Sequence, residues 1–370
     1  MKMISWITDD CFVDVDLPII AELSKDYTIY WQVISFLNDG KELQYYIKSI
    51  LSNFKNVQVS YIVVNHKPWA LRVIPVYISI IKNAKMYNPD YYYVSCYAAP
   101  YGALLYKLLL PLKKTVAVCH NVSTPKGANQ EAYAKFYTHI WLSTFKNIQV
   151  FSQNQKNILS AKYRGKNVLK APLAIKDYGD PKIKNIREDQ KNITFLFFGI
   201  IAEYKRVDLL INAACLLYEQ GTRNFKVIIA GKCNVWIEKY KPLIKYPKLF
   251  DLRIERIANE DVADLFAASD YFVMPYQDIA QSGAITVAFR YRLPVIASDI
   301  PQFKEFLNSG EDSLSFKCGD YEALALQMKV VIDGGEDLKN SFVRNQMNYV
   351  ERYFSISTIS KKYKQFLETL

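Results

Sequence analysis

The stretch "ITFLFFGIIAEYKRVDLLINAA", Ile193 to Ala214, sets the fold class. A run of apolar and β-branched residues stops at Gly199, a short loop follows, and apolar residues resume at helical spacing from Val207. Strand, glycine, helix is the opening of a parallel α/β unit. Lys205 and Arg206 stand directly before the helix. Two cations there oppose the positive end of the helix dipole unless something negative binds, and Gly199 would let a phosphate approach the backbone. A solvated charge pair at a helix start is the alternative.

Further along, "IIAGK" (Ile228 to Lys232) repeats the strand-then-glycine arrangement at Gly231. "PYQDIAQSGAITVAFRYRLPVIASD", Pro275 to Asp299, then joins two strand-like pieces through a Ser-Gly turn that opens a short apolar helix. Ser282 can cap that helix, and Gly283 with Ala284 can offer backbone N–H groups to a phosphate. A tight βα turn that needs glycine only for packing is the alternative here. What the three segments share is a site for a diphosphate.

The same alternation extends over the chain. Strand candidates in the first half are "MISWIT", "YTIYWQVIS", "VQVSYIVV", "DYYYVSC", "TVAVCHN" and "NIQVFS". A helix begins near "VDLPIIAELSK", where Asp16 is suited to cap and Pro18 to the first turn. Residues 176–192, "KDYGDPKIKNIREDQKN", have no apolar period and mark a linker. The second half restarts with "ITFLFFG", "KVIIAG", "DLRIERI", "YFVMPY" and "PVIASD". At 370 residues the chain exceeds what one core supports, roughly 250–300 residues. Two doubly wound domains are expected, 1–175 and 193–352, with a helix at about 356–370 packing back on the first and ligand bound between them at the strand ends.

Composition narrows the partners. The hydrophobic fraction of 51% and charged fraction of 22% are those of a globular protein. The six cysteines are scattered without a CxxC pair, which argues against a zinc site or a disulfide framework. No uncharged apolar run reaches the roughly 20 residues of a spanning helix, and the start of the chain lacks a signal-peptide pattern. Residues 1–175 carry 20 Lys and Arg against 10 Asp and Glu, whereas the remainder carries 27 against 26. That segregation implies an anionic partner for the first half, such as a membrane surface or a phospholipid-linked substrate. No helix-turn-helix, zinc or RNP-like signature supports nucleic acid. "KPWALRVIPVYISIIKNAK" and "YKLLLPLKK" combine cations with apolar surface, as an interfacial segment would; two core-packed helices with solvated ends are the alternative.

"FFGIIAEYKRVDLLINAA", "IIAG", "EDVADLFAASDYFVMPYQD" and "SGAITVAFRYRLPVIASDIPQFKEFL" resemble, in order and spacing, the nucleotide-binding domain of group 1 (family 4 type) GT-B glycosyltransferases. The resemblance covers about 150 residues; the first half is similar in fold pattern only. It implies an α/β GT-B chain of two Rossmann-like domains. Their activity is retaining transfer of a sugar from a nucleotide-diphosphate donor, a UDP- or GDP-sugar, without cofactor or metal. Lys205 and a neighbouring Arg would neutralise the donor diphosphate, with Gly199, Gly231, Gly283 and Ala284 lining it. The sequence departs from the family at Ile200, where Arg is usual, and Arg206 stands where Gly is common and can replace that charge. The family's pair of Glu around the Gly turn is missing; the corresponding places are near Ala280 and at Val287 or Ala288. A subgroup with "QSG" there is more similar, which puts Gln281 and Ser282 toward the sugar. Glu305 matches a common acidic residue or is a surface helix residue. His120, in the family's "HN" position, would hydrogen-bond donor or acceptor unless it is structural. Asp9 and Asp10 lie where acceptor-side loops gather.

The implied function is glycosyl transfer to a glycan or lipid-diphosphate-linked glycan in surface polysaccharide biosynthesis, in the cytoplasm at the inner membrane face. A non-catalytic GT-B partner that binds glycan or an active subunit is the rival the missing Glu pair raises. A sugar-nucleotide epimerase on the same fold would need cleft carboxylates that the sequence does not offer. "DVD" at Asp14 to Asp16 is assigned to helix capping rather than to a metal.

Overall fold

The computed structural model describes residues 1–370 except 38–39, 97–99, 124–130, 183–191 and 280. The chain forms two compact units, one of Met1–Thr124, Ala132–Ala174 and Phe354–Leu370, the other of Ile175–Tyr353. In the first, β1 (Met3–Asp9), β2 (Thr28–Phe36), β3 (Val57–Val64), β4 (Tyr91–Ser95), β5 (Thr115–Val118), β6 (Asn147–Val150) and β7 (Asn167–Lys170) form one parallel sheet in the order β3-β2-β1-β4-β5-β6-β7. In the second, β8 (Ile193–Phe198), β9 (Phe225–Ala230), β10 (Phe250–Arg253), β11 (Tyr271–Met274), β12 (Val295–Ser298) and β13 (Ser313–Phe316) pair in the order β10-β9-β8-β11-β12-β13, again all parallel. These are two Rossmann-like sheets. Each reverses its winding once, at β1/β4 and at β8/β11, and a ligand crevice opens beyond the strand ends at such a point.

The strands are apolar on both faces because helices cover both. Alternation along β1 sends Ile4 and Trp6 to one core, with the helices Val13–Leu23 and Lys41–Leu51, and Ile7 to the other, with Ile74–Lys85, Pro100–Leu109 and Glu131–Thr144. The helix Ile356–Leu367 belongs to the first of these cores through Ile359, Tyr363 and Leu367. Tyr93 stacks between Trp6, 3.8 Å away by ring centroids, and Tyr363, 5.9 Å away, and the Tyr363 hydroxyl accepts from Gln149 Nε2 at 2.6 Å.

Asp16 corrects the capping expectation. The helix starts at Val13 with Phe12 in the cap position, so Asp16 lies a turn inside and points into the core, 3% exposed. Its Oδ2 accepts from Thr8 Oγ1 at 2.7 Å and from Trp6 Nε1 at 3.1 Å, while Trp31 Nε1 donates to Thr8 Oγ1 at 2.8 Å. Burial raises its pKa to about 7 against these hydrogen bonds. A carboxyl whose folded pKa is raised from near 4 stabilises fully only below that value, and the contribution is lost as pH rises through about 7. Asp16→Asn keeps an acceptor for Trp6 and Thr8 without the charge. It should melt higher than the parent protein at pH 8, by a stability difference on the order of 1–3 kcal/mol, and the gap should close toward pH 5; thermal melts across that range measure it.

Candidate functional site

β8 ends at Gly199, where φ is +107° and a side chain would be strained. Gly199 N donates to Ala230 O at 2.9 Å, which continues the ladder one residue past the strand and brings Gly231 alongside. A β-carbon on Gly231 would sit 2.0 Å from the Gly199 carbonyl oxygen. Gly231 therefore acts through packing: its bare Cα lets the two strand ends approach.

From Gly199 the chain crosses to a 3₁₀ turn, Glu203–Lys205, and enters the helix Val207–Glu219. The turn carries Lys205 back over the strand end, with Nζ 3.2 Å from where a Gly199 β-carbon would be and 5.4 Å from the centroid of the Tyr276 ring. Lys205 has no ion pair among the described residues, and loss of hydration lowers its pKa to about 8. The other wall is the helix Gly283–Arg290, which follows β11. A cavity of about 450 Å³ joins the two, lined by Gly199, Ile200, Tyr204, Lys205, Gly283, Ala284 and Val287, with Lys176 and Tyr178 from the segment preceding β8. That size lies within the range of small-molecule sites, about 300–1,000 Å³. The cavity sits beyond the ends of β8 and β11, where the winding reverses.

Several sequence candidates lie elsewhere or act differently. Ser282 is at the cap position of its helix, yet its side chain makes no capping hydrogen bond. Arg206 occupies the left-handed region at φ +49°, which costs an L residue roughly 1–2 kcal/mol. Its guanidinium forks onto Asp208, with Nη2 to Oδ2 at 2.8 Å and Nε to Oδ1 at 3.0 Å. It lines a separate depression with Glu203, Lys239 and Tyr240, where Lys239 pairs with Glu203 at 3.2 Å. Arg206 thus does not join Lys205. Glu305 follows the short helix Pro301–Lys304, and its carbonyl accepts from Tyr349 OH at 2.9 Å; neither it nor Gln281 is among the residues lining the cavity. Ala280 lies outside the described residues, as do 183–191 of the linker segment and 124–130 after His120.

In the first unit, Asp9 is buried at the end of β1 and Asp10 begins the 3₁₀ turn Asp10–Phe12. Burial raises the Asp10 pKa, opposed by hydrogen bonds from the Cys11 backbone and Ser35. Phe12, the last residue of that turn, stacks on His120 with centroids 3.7 Å apart and planes 8° apart, and Phe151 stacks on His120 at 5.0 Å. His120 is 8% exposed, and burial pushes its pKa down to about 3. It is therefore a neutral imidazole at physiological pH, fit for hydrogen bonding and not for holding a cation.

Residues 192–333 match the family described as glycosyl transferases group 1. The chain carries a group 1 glycosyltransferase domain. No curated protein matches the sequence. Among solved structures, Anabaena Alr3699/HepE in complex with UDP and glucose is 14% identical over 100% of both chains, with a TM-score of 0.72. Sucrose-phosphate synthase from Thermosynechococcus elongatus is 13% identical over 100% of this chain and 99% of its own, TM-score 0.75. Staphylococcal TarM in complex with fondaparinux, α-GlcNAc-glycerol and UDP is 11% identical over 99% of this chain and 100% of its own, TM-score 0.71. The shared architecture is GT-B, two Rossmann-like units in one chain. The glycosyltransferase match takes in Gly199, Lys205 and Gly283 and begins after Lys176 and Tyr178. Sequence reasoning missed those two because the polar stretch around them has no period, and the only signal was its pair of acidic residues, Asp177 and Asp180.

A desolvated lysine destabilises the folded protein. Its folded pKa of about 8 lies below the ordinary 10.5, so the cost is complete below pH 8 and is relieved between pH 8 and 10.5, where only the unfolded chain holds the proton. Lys205→Met should raise the melting temperature at pH 7, with an advantage that shrinks toward pH 10. A variant that melts lower at pH 7 would show that the ammonium is stabilising in place.

Proposed function

We propose that the protein transfers a sugar from a nucleotide-diphosphate donor, a UDP- or GDP-sugar, to a hydroxyl of a glycan or lipid-diphosphate-linked glycan in surface polysaccharide biosynthesis. One observation carries the donor site: the Lys205 ammonium lies desolvated over bare strand-end backbone, in a cavity whose opposite wall is a helix N-terminus. Both features favour an anion, and together they fit a diphosphate. When the bond between the anomeric carbon and the diphosphate oxygen breaks, that oxygen gains negative charge. Lys205 and the first N–H groups of the helix Gly283–Arg290 stabilise it without a metal. The HepE and TarM complexes, with UDP and sugars, support the same substrate class. The lipopolysaccharide outer core galactosyltransferase WaaB, 13% identical with a TM-score of 0.64, supports the polysaccharide setting. Retention of anomeric configuration is proposed on family grounds. His120, neutral and held between two rings, is assigned to hydrogen bonding of the reacting sugar or acceptor.

Calorimetry with UDP- and GDP-sugars tests the donor site without knowledge of the acceptor. Lys205→Ala should bind the donor about ten- to a hundredfold more weakly, the range for a charged hydrogen bond. Gly283→Val should do the same damage by covering the helix mouth, since nothing in the protein lies within 4 Å of a β-carbon there. Affinity should also fall as pH rises past about 8, where the free ammonium loses its proton. His120→Ala should leave donor affinity intact and slow turnover at least tenfold. A protein that binds no nucleoside diphosphate is not a donor-using transferase. One that binds donor but releases no product with any membrane-derived acceptor is the non-catalytic partner that the missing Glu pair raises.

The first unit's basic excess is assigned to an anionic membrane surface at the inner, cytoplasmic face. No helix among the described residues is long and apolar enough to cross a membrane. Trp69 and Leu71 are 55% and 75% exposed beside Lys67 and Arg72. Tyr101 OH donates to Pro68 O at 2.6 Å and Ala70 O at 2.9 Å, which ties that loop to the helix bearing exposed Leu104, Lys107 and Leu108. Cations around exposed apolar side chains suit an interfacial contact, and each contributes on the order of 1 kcal/mol near an anionic bilayer. Binding to anionic vesicles should weaken with salt and on charge reversal at Lys113 and Lys114; equal binding to neutral vesicles would refute the assignment.

A further inference from the structure

The segment before β8, although polar and aperiodic, is held along the helix Gly283–Arg290. At the helix's last turn, Arg290 Nε lies 2.7 Å from Asp177 Oδ2 and Nη2 lies 3.1 Å from Asp180 Oδ1. Tyr291 OH donates to Gly179 O at 2.9 Å and accepts from Tyr178 N at 3.2 Å. At the first turn, Lys176 N donates to Thr286 Oγ1 at 3.4 Å, and that hydroxyl donates to Gly283 O at 2.8 Å. The helix whose N-terminus forms one wall of the cavity thus also fixes the strap that passes it. Lys176, half-buried, lines the cavity with Lys205, and its Nζ lies 5.0 Å from the centroid of the Tyr178 ring, which lines it too.

We infer that Lys176 is the second cation of the diphosphate site, delivered to it by this strap. The inference rests on the donor-site reading and adds a residue to it. A diphosphate brings more than one negative charge, and the cavity lining holds two lysines and no carboxylate. The other neighbouring charge is committed: Arg206 forks onto Asp208 and lines the separate depression. Ile200, directly after the strand-ending glycine, is 70% exposed and contributes no charge. Two ammonium groups in one small cavity repel each other, and an anion between them removes the repulsion. Arg290 is the positioning residue, since it holds Asp177 and Asp180 on either side of the Tyr178–Gly179 bend and touches no part of the lining.

Calorimetric titration with UDP or GDP, whichever the wild type binds, tests this. Lys176→Met should weaken binding about ten- to a hundredfold, Lys176→Arg should recover most of it, and the surface control Lys245→Met should bind as wild type. Arg290→Ala should weaken binding by less, and the double variant Arg290→Ala/Lys176→Met should bind no more weakly than Lys176→Met alone, because positioning matters only while the lysine is there. If Lys176→Met binds like wild type while Lys205→Met is weakened, the inference fails and the donor site stands. If Lys176→Met loses affinity together with melting temperature and Lys176→Arg restores neither, the lysine is structural and the inference is overturned. If wild type binds neither nucleotide, the donor-site reading falls and takes this inference with it.

Discussion

The second unit is organised around the contact between two strand ends that only glycine permits. Gly231 has no room for a β-carbon, because the Gly199 carbonyl lies where it would be. The approach lets the backbone past β8 hydrogen-bond onward to Ala230 and Lys232 while leaving its other side bare. Lys205 then folds back onto that bare backbone. A side chain at either glycine would separate the strand ends or fill the ground over which the ammonium sits, so two small residues determine where the charge is held.

Burial acts on three charged groups here with different results. Lys205 loses water and gains only the face of Tyr276, so its pKa falls and the cation is left available to an anion. Arg206, its neighbour in sequence, stays more hydrated and satisfies both forks on Asp208, which raises its pKa. Asp16, in the other unit, is desolvated among tryptophan and threonine donors and drifts toward neutrality. Desolvation without a counter-charge marks the lysine as the reactive one of the three. Paired or hydrogen-bonded burial accounts for the arginine and aspartate as parts of the scaffold.

His120 shows how a polar residue at a strand end is both structural and available. The Phe12 and Phe151 rings hold the imidazole in one plane, and the same packing keeps it neutral. A neutral ring can donate through one nitrogen and accept through the other, the capacity needed to orient a sugar hydroxyl. Asp9 and Asp10 end β1 in the same unit, and burial moderates the charge of Asp10.

The sequence by itself determined the two parallel α/β sheets, because strands buried on both faces must be continuously apolar and glycines must stand where they end. Eleven strands were legible that way; β7 and β13, "NVLK" and "SLSF", were not, since both are short sheet edges with little apolar content to distinguish them. Gly199, Lys205 and Gly283 could be associated because each sits at a boundary where strand or helix periodicity changes. Tertiary structure decided what local pattern cannot carry. Asp16 had the spacing of a cap and became a core group because the helix began earlier. Arg206 and Lys205, adjacent in sequence, diverged because the left-handed residue between turn and helix sends their side chains to different pockets. The segment around Lys176 has no period, and its course is set by Arg290 and Tyr291, more than a hundred residues away. Contacts so distant along the chain leave no local signature, for their energy comes from partners that only folding brings together.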